Sequence, residues 1–271
     1  QVNLLVETIF ASTLVSGSLA VFNLANNLQS FPVGIFGLSF AIAAFPAIAA
    51  SAFDKERLVY YFSKTLRQIF YFIIPSTVVL ILLRAQIVRL VLGSGKFDWN
   101  DTILTMNTLT FFALSLFAQA TIPLLVRFYY ARHDSRTPLY LGLIASAVNI
   151  VLNYYLVHSS LGVAALALSF SLSSIVQFAL LFIFLRIELG SLDEGLLFKS
   201  IGKMLLAASA AGLVIQLMKT WLGFSLEISF GWQLLLQFVL PASTGLAVYG
   251  IVTYWLKSPE ILNLLKHVQG R

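Results

Sequence analysis

No cysteine occurs anywhere in the chain, which excludes disulfides, thiol nucleophiles and cysteine metal sites and leaves the compartment open. Charge is scarce too. Asp, Glu, Lys and Arg make up 10% of the 271 residues, where a water-soluble domain carries about a quarter. Nucleic-acid binding is excluded for want of a soluble basic face, although the formal net charge is +6. Enzyme signatures are missing as well. His133, His158 and His267 stand in different loops with no HExxH arrangement, and no GxSxG elbow or paired-Asp magnesium motif occurs. The GSGK run at 93–96 fails as a phosphate-binding loop, because Leu90 stands where that motif needs Gly and Phe97 where it needs Ser or Thr. The chain therefore reads as a non-enzyme with no metal and no cofactor.

What is abundant is apolar sequence. Hydrophobic residues make up 59% of the chain, and the mean hydropathy is +0.91. The apolar runs last about twenty residues without alternation, the length of a spanning helix and not of a barrel strand. The sequence predicts an all-α integral membrane protein with about eight transmembrane helices, at residues 1–15, 17–53, 66–83, 103–129, 139–157, 163–185, 201–218 and 232–255. If each crosses once, the loops divide the 17 basic residues into 13 on one side and 4 on the other. Basic loops stay inside, so the 13-residue side and the C-terminus are expected in the cytoplasm of a multi-pass protein. The first run starts at Gln1 with no initiator Met or signal sequence, and a longer protein with a missing N-terminal part is expected. A polar stretch of alternating sign at 186–203 suggests a boundary between residues 1–186, a six-helix unit with its first helix truncated, and residues 187–271, a linker and two peripheral helices.

The second run is the most informative. Helical steps of three and four through it pick out Ser16, Ala20, Asn23, Asn27, Ser30, Gly34, Gly37, Ala41 and Ala44, one line of small or polar side chains. Two readings fit such a line: a close-packing seam against other helices, or the wall of a polar cavity. In the second, Asn23, Asn27 and Ser30 line the cavity. Pro32, with Gly34 and Gly37 behind it, predicts a hinge, and Gln29, Ser30 or a cavity water is expected to satisfy the carbonyl that Pro32 frees. Glu7 is the one acid inside an apolar run, with Asn3 four residues before it. It reads either as an ion or proton site facing the cavity or as a structural, hydrogen-bonded acid.

Three further features are legible. Residues 84–101 suit a short interfacial helix followed by a Gly-Ser-Gly turn. The turn at 127–138, RFYYARHDSRTP, is expected to be capped by Ser135 or Thr137 with Asp134 paired to Arg132 or Arg136; alternatively Arg132 and Arg136 hold lipid headgroups. Asn149 and Asn153 share a face of the fifth run, and Gln119 and Pro123 mark the fourth.

Taken as an ordered set, QVNLLVETIFAS at 1–12, FPVGIFGLSFAIAAFPAIA from Phe31, SGKFD at 94–98 and FYYARHDSRTP at 128–138 resemble the MurJ/MviN family of bacterial lipid II flippases, as far as about Leu185. The resemblance implies the second lobe of a transporter of the MATE-like multidrug/oligosaccharidyl-lipid/polysaccharide (MOP) exporter superfamily, plus two extra C-terminal helices whose groove guides the lipid tail. It implies alternating-access transport of a lipid-linked peptidoglycan precursor across the bacterial inner membrane, driven by membrane potential or ion gradients. The partners would be that lipid-linked substrate, membrane lipids and the missing N-terminal lobe. Many members carry Arg at the position of Asn27 and an acid at that of Ser30. Both are neutral here, so either the other lobe supplies the cations or the substrate differs, and an exporter of another lipid-linked glycan or drug, or a non-transporting scaffold, stays open.

Overall fold

Hydrocarbon offers a backbone no hydrogen-bond partners, so a chain of this composition must satisfy its amides within helices. The computed structural model describes residues 2–93, 98–159, 161–225 and 231–262. Among them are α1 Val2–Ser12, α2 Ser18–Pro32, a π-helical turn Val33–Leu38, α3 Ser39–Ala50, α4 Lys55–Leu82, α5 Arg84–Leu92, α6 Trp99–Leu114, α7 Leu116–Ala131, α8 Arg136–Leu156, α9 Val163–Leu189, α10 Glu194–Ser225 and α11 Trp232–Trp255. Six spans are long and apolar enough to cross a membrane, with α2 through α3 counted as one, and the bent pair α6 and α7 makes a seventh. With the 11-residue α1, these correspond to the eight anticipated segments.

The fourth run divides where no proline stands. α6 and α7 meet at 48° around Ser115, whose hydroxyl is hydrogen-bonded to Ser171 Oγ across to α9 at 2.9 Å. Pro123 lies inside α7 without breaking it. The polar stretch at 186–203 is also more ordered than its composition suggests, since α9 continues to Leu189 and α10 begins at Glu194. Gly190 ends α9 at φ +79°, a left-handed conformation open to glycine, and Arg186 reaches across the turn to Glu194 at 2.6 Å. Residues 94–97, the centre of the anticipated Gly-Ser-Gly turn and most of the SGKFD motif, lie outside the described residues. The short helix before them is α5, with Arg89 over the Trp99 ring at 4.8 Å.

α4 is the axis of the bundle and touches α3, α6, α7, α10 and α11. Asp54 caps it by accepting from Arg57 N at 3.2 Å. Its buried stripe of Leu58, Phe62, Leu66, Ile69 and Ile73 follows helical spacing, and Phe62 meets Phe128 of α7 edge-on with ring centroids 5.2 Å apart. α11 is latched to α4 by hydrogen bonds: Tyr249 Oη donates to the Tyr71 carbonyl at 2.9 Å, and Tyr71 Oη lies 3.2 Å from Thr253 Oγ1.

α10 and α11 pack against each other through small residues, because lipid-facing helices gain little from burying apolar surface and depend on close backbone approach. Ala207, Ala208 and Ala211 of α10 are buried, and Gly245 of α11 lies so close to α10 that a Cβ on it would fall 2.3 Å from Ile215 Cγ1. Gly245→Val is therefore expected to destabilise the purified protein by about 1–3 kcal/mol, the usual cost of overpacking. Thermal unfolding in detergent measures it, and Ile215→Ala in the Gly245→Val background restores part of the loss. An unchanged midpoint in Gly245→Val would show that the two helices are not in close contact.

Candidate functional site

On α2 the line read from the sequence divides into two halves. Ser16, Ala20, Asn23, Asn27, Ser30 and Gly34 are exposed, while Val21, Phe22, Ala25, Gln29 and Pro32 on the opposite side are buried. Gly37 and Ala41, the next members of the line, are buried instead. The cause is the π turn at Val33–Leu38. Pro32 has no amide hydrogen, and the wider turn that follows inserts an extra residue and rotates every later side chain relative to the first half. Ser39 Oγ donates to the Gly34 carbonyl at 3.2 Å within this turn. Gly37 then meets α7 so closely that a Cβ would fall 2.5 Å from the Ala120 carbonyl oxygen. One half of the line is thus an open polar face and the other a packing seam.

Beneath the open face runs a buried polar ladder that sequence spacing alone does not reveal. Gln29 Nε2 donates to Gln119 Oε1 and to Asn26 Oδ1, each at 2.9 Å. Gln119 Nε2 donates to Ser115 Oγ at 2.8 Å, and Ser115 continues to Ser171, whose hydroxyl donates to the Phe111 carbonyl at 2.7 Å. The ladder joins α2 to the α6–α7 break and to α9. Gln29 and Ser30 do not serve the carbonyl freed by Pro32 as expected; Gln29 turns to α7, and Ser30 Oγ donates to the Asn26 carbonyl at 2.7 Å. The available signal was the four-residue spacing of Ser115 and Gln119, which puts both on one helical face.

Glu7 is 4% exposed, so it sits within the bundle while Asn23, Asn27 and Ser30 are open. Its Oε1 has no hydrogen-bond partner among the described residues, and the side chain of Asn3 lies outside them. α1 packs on α2, α8 and α9. α8 carries the fully buried pair Asn149 and Asn153. Asn153 Nδ2 donates to Asn149 Oδ1 at 3.1 Å, Asn149 Nδ2 to Ser173 Oγ at 3.4 Å, and Asn153 Oδ1 has no partner among the described residues.

At the α7–α8 turn the cap is Asp134, not Ser135 or Thr137. Asp134 Oδ1 accepts from the amides of Arg136 and Thr137, each at 3.0 Å, because its shorter reach from outside the helix meets both first-turn donors. Hydrogen bonds from Thr137 hold its carboxyl below the usual carboxylate range. The cap's contribution is therefore intact above the ordinary Asp value and is lost as pH falls through the lowered one. Arg132 pairs with Glu188 of α9 at 2.5 Å instead of with Asp134, and Arg136 is exposed.

A second concavity lies between α4 and α10, closed at the back by α6, α7 and α9. It is an apolar groove of about 1030 Å³ lined by Phe70, Ile74, Val78, Phe117, Leu205 and Leu213 among others. Its lining runs from Leu66 to Leu82 along α4, about 24 Å of helix and most of the hydrocarbon thickness.

A family model described as lipid II flippase MurJ matches residues 1–231. A probable lipid II flippase MurJ of Thermotoga maritima is 33% identical over 220 residues, covering 81% of this chain and 44% of that protein, and one from Vibrio cholerae is 29% identical over 184 residues, covering 67% and 35%. Among solved structures, a lipid II flippase MurJ in an inward closed conformation aligns with all of this chain and 52% of its own at a TM-score of 0.77 and 22% identity. A MATE transporter in a bent conformation aligns with 97% of this chain and 63% of its own at 0.60 and 16%. The chain spans about half the length of the relatives it matches. The fold is that of a MurJ and MATE-like lobe, and by the match over residues 1–231 the chain belongs to the MurJ family of lipid II flippases.

Proposed function

We propose that this chain is the second lobe of a transporter that flips lipid II, the lipid-linked peptidoglycan precursor, across the bacterial inner membrane by alternating access, with residues 1–186 as the six-helix lobe and α10 and α11 as an accessory pair. The observation that carries this reading is the open polar face of α2 ending at a π turn. Amides facing lipid would be left without partners, so Asn23, Asn27 and Ser30 make sense only opposite a polar path or another lobe. Asn27 donates a hydrogen bond to the substrate's diphosphate but brings no charge, and the cations come from the opposing lobe. Pro32, Gly34 and the π turn let the α2 half of the helix swing, while Gly37 stays fixed against Ala120. The α4–α10 groove takes the lipid tail, since its walls are apolar over the depth of a leaflet and more.

Glu7 serves as the coupling site for an ion or a proton. α1 and α8 pack together, and among the described residues each leaves a buried acceptor oxygen unfilled, Glu7 Oε1 and Asn153 Oδ1, a valence that a proton or a cation satisfies. Orientation follows from the 13-to-4 division of basic residues, with the C-terminus in the cytoplasm. Arg132 is occupied by Glu188, which leaves Arg136 as the residue of the α7–α8 turn for lipid headgroups. The neutral Asn27 and Ser30 favour one second reading, an exporter of a different lipid-linked glycan on the same scaffold.

Complementation tests both readings. The natural gene is expected to restore growth to bacteria depleted of their own lipid II flippase, with Asn27→Ala lowering transport about tenfold or more, the worth of a hydrogen bond to a charged group, and Glu7→Ala abolishing it at unchanged membrane levels. Failure of the native protein with rescue by Asn27→Arg would point to the different glycan, and rescue undiminished by both alanine variants would refute the site. Orientation has its own check: cysteines placed at Ser159, between α8 and α9, and at Lys199, near the start of α10, should label with impermeant maleimide from opposite sides. Same-side labelling would overturn the topology.

A further inference from the structure

At the end of the bundle where most of the basic residues gather, α10 presents a second stripe on the flank away from the apolar groove. Leu196, Lys199, Ser200 and Lys203 recur at steps of three and four. They line a pocket of about 260 Å³ together with Arg67 of α4 and Pro259, which follows α11. Three cations from two helices therefore converge on one concavity. Arg67 is only 13% exposed and held from two sides, Nε donating to the Ser63 carbonyl and Nη1 to Glu260 Oε1, each at 3.2 Å. Glu260 is 4% exposed and accepts a further hydrogen bond from Ser258, so its charge is committed to Arg67. Lys203 Nζ donates to the Lys257 carbonyl at 3.2 Å, and Lys199 has no partner among the described residues. Of the other acids near this end of α4, Asp193 is hydrogen-bonded to Ser63 at 3.4 Å, Glu194 is paired with Arg186 and Asp54 with Arg57, while Glu56 stands in the first turn of α4, about three turns before Arg67. The lining carries Arg67, Lys199 and Lys203 against the single carboxylate of Glu260, an excess of two positive charges.

We infer that this pocket binds the phosphate headgroup of an anionic membrane phospholipid. A fixed guanidinium beside two lysine ammonium groups and a serine hydroxyl is a donor set suited to a phosphate diester. The position selects a lipid as its source. Leu196, in the lining itself, is an exposed apolar side chain, a surface for an acyl chain directly beside the cations. A phospholipid seated here bridges α4, α10 and the segment after α11, and so fastens the accessory pair to the lobe axis. The inference stands on this pocket's geometry and does not depend on which glycan the protein carries.

The test is native mass spectrometry on the purified native protein, with phosphatidylglycerol, phosphatidylcholine and inorganic phosphate as separate probes, and thermal unfolding of the same samples. Phosphatidylglycerol is expected to bind in preference to phosphatidylcholine and to raise the unfolding midpoint. Its affinity should fall about 30-fold in the Lys199→Gln/Lys203→Gln double variant, at the worth of a basic residue near an anionic surface, and be kept in Lys199→Arg/Lys203→Arg. The Gln variant's unfolding midpoint in phosphatidylcholine alone checks its folding. Equal retention of phosphatidylglycerol by the native protein and a folded Gln variant would overturn the site. Equal binding of both phospholipids would overturn the role of charge, and stabilisation by inorganic phosphate matching that by phosphatidylglycerol would make the ligand a soluble anion and overturn the lipid.

Discussion

Hydrocarbon leaves a polar group no partner except another part of the protein, and the architecture follows from how this chain meets that condition. Serine and threonine hydroxyls within the spans turn back onto their own helices, as Ser76 does to the Phe72 carbonyl and Thr108 to the Leu104 carbonyl, each at 2.7 Å. Longer amides cannot do so and must reach across. Gln29, Gln119, Ser115 and Ser171 accordingly form one continuous chain through three helices. Such a chain gives register as well as stability, because a one-residue slip of α2 against α7 would orphan several donors together. The bend between α6 and α7 belongs to the same network: Ser115 occupies the break and contributes both its hydroxyl hydrogen and its oxygen to neighbours there.

This division of labour explains what could be read from the sequence. Spans were legible because their signal is one-dimensional: a run of apolar residues near twenty long predicts a helix whatever surrounds it. The face of α2 was legible for the same reason as far as Gly34, and six members of the line share one exposed side. It failed at Gly37 because helical arithmetic assumes 3.6 residues per turn throughout, and the π turn after Pro32 breaks that assumption. Proline alone does not locate the breaks. Pro123 is absorbed in α7, with Arg127 Nη1 donating to its carbonyl at 3.1 Å, whereas the real break at Ser115 depends on a partner 56 residues away. The polar stretch around Arg186 read as a linker because alternating charge resembles a loop. In the folded chain the same charges hold two helix ends together, Arg186 to Glu194 across the turn and Arg132 to Glu188 beside it.

Acceptors and donors are not evenly matched in the interior, and the imbalance bears on the proposed function. Among the described residues the unfilled buried oxygens are Glu7 Oε1, Gln29 Oε1, Gln86 Oε1, Thr105 Oγ1 and Asn153 Oδ1. Glu7, Gln29 and Asn153 lie on α1, α2 and α8, with α1 packed on both α2 and α8. An unsatisfied acceptor costs about 1–3 kcal/mol, and evolution removes such groups cheaply by substituting an apolar side chain of similar size. The α4–α11 latch of Tyr71, Tyr249 and Thr253 is fully paired by contrast, and in the transport reading the unfilled acceptors of α1 and α8 are the ones that a proton or a cation fills.

The two sides of the π turn are held unequally. Beyond the π turn, Gly37 is locked to the Ala120 backbone, and Phe36 and Phe40 stack on Phe72 of α4 at 4.8 and 5.6 Å. That end cannot shift without unpacking the lobe axis. Before the turn, the polar side of α2 is free, and its buried side is held chiefly by Phe22 against Phe112 and by the Gln29 amide. In the transport reading, a helix with one anchored and one open half, joined by a turn with irregular hydrogen bonding, moves as a lever about that turn. In that reading Asn23 and Asn27 then travel farthest while Ser30 stays near the pivot, so the residues best placed to hand a phosphate from one side to the other are those most distant from the hinge.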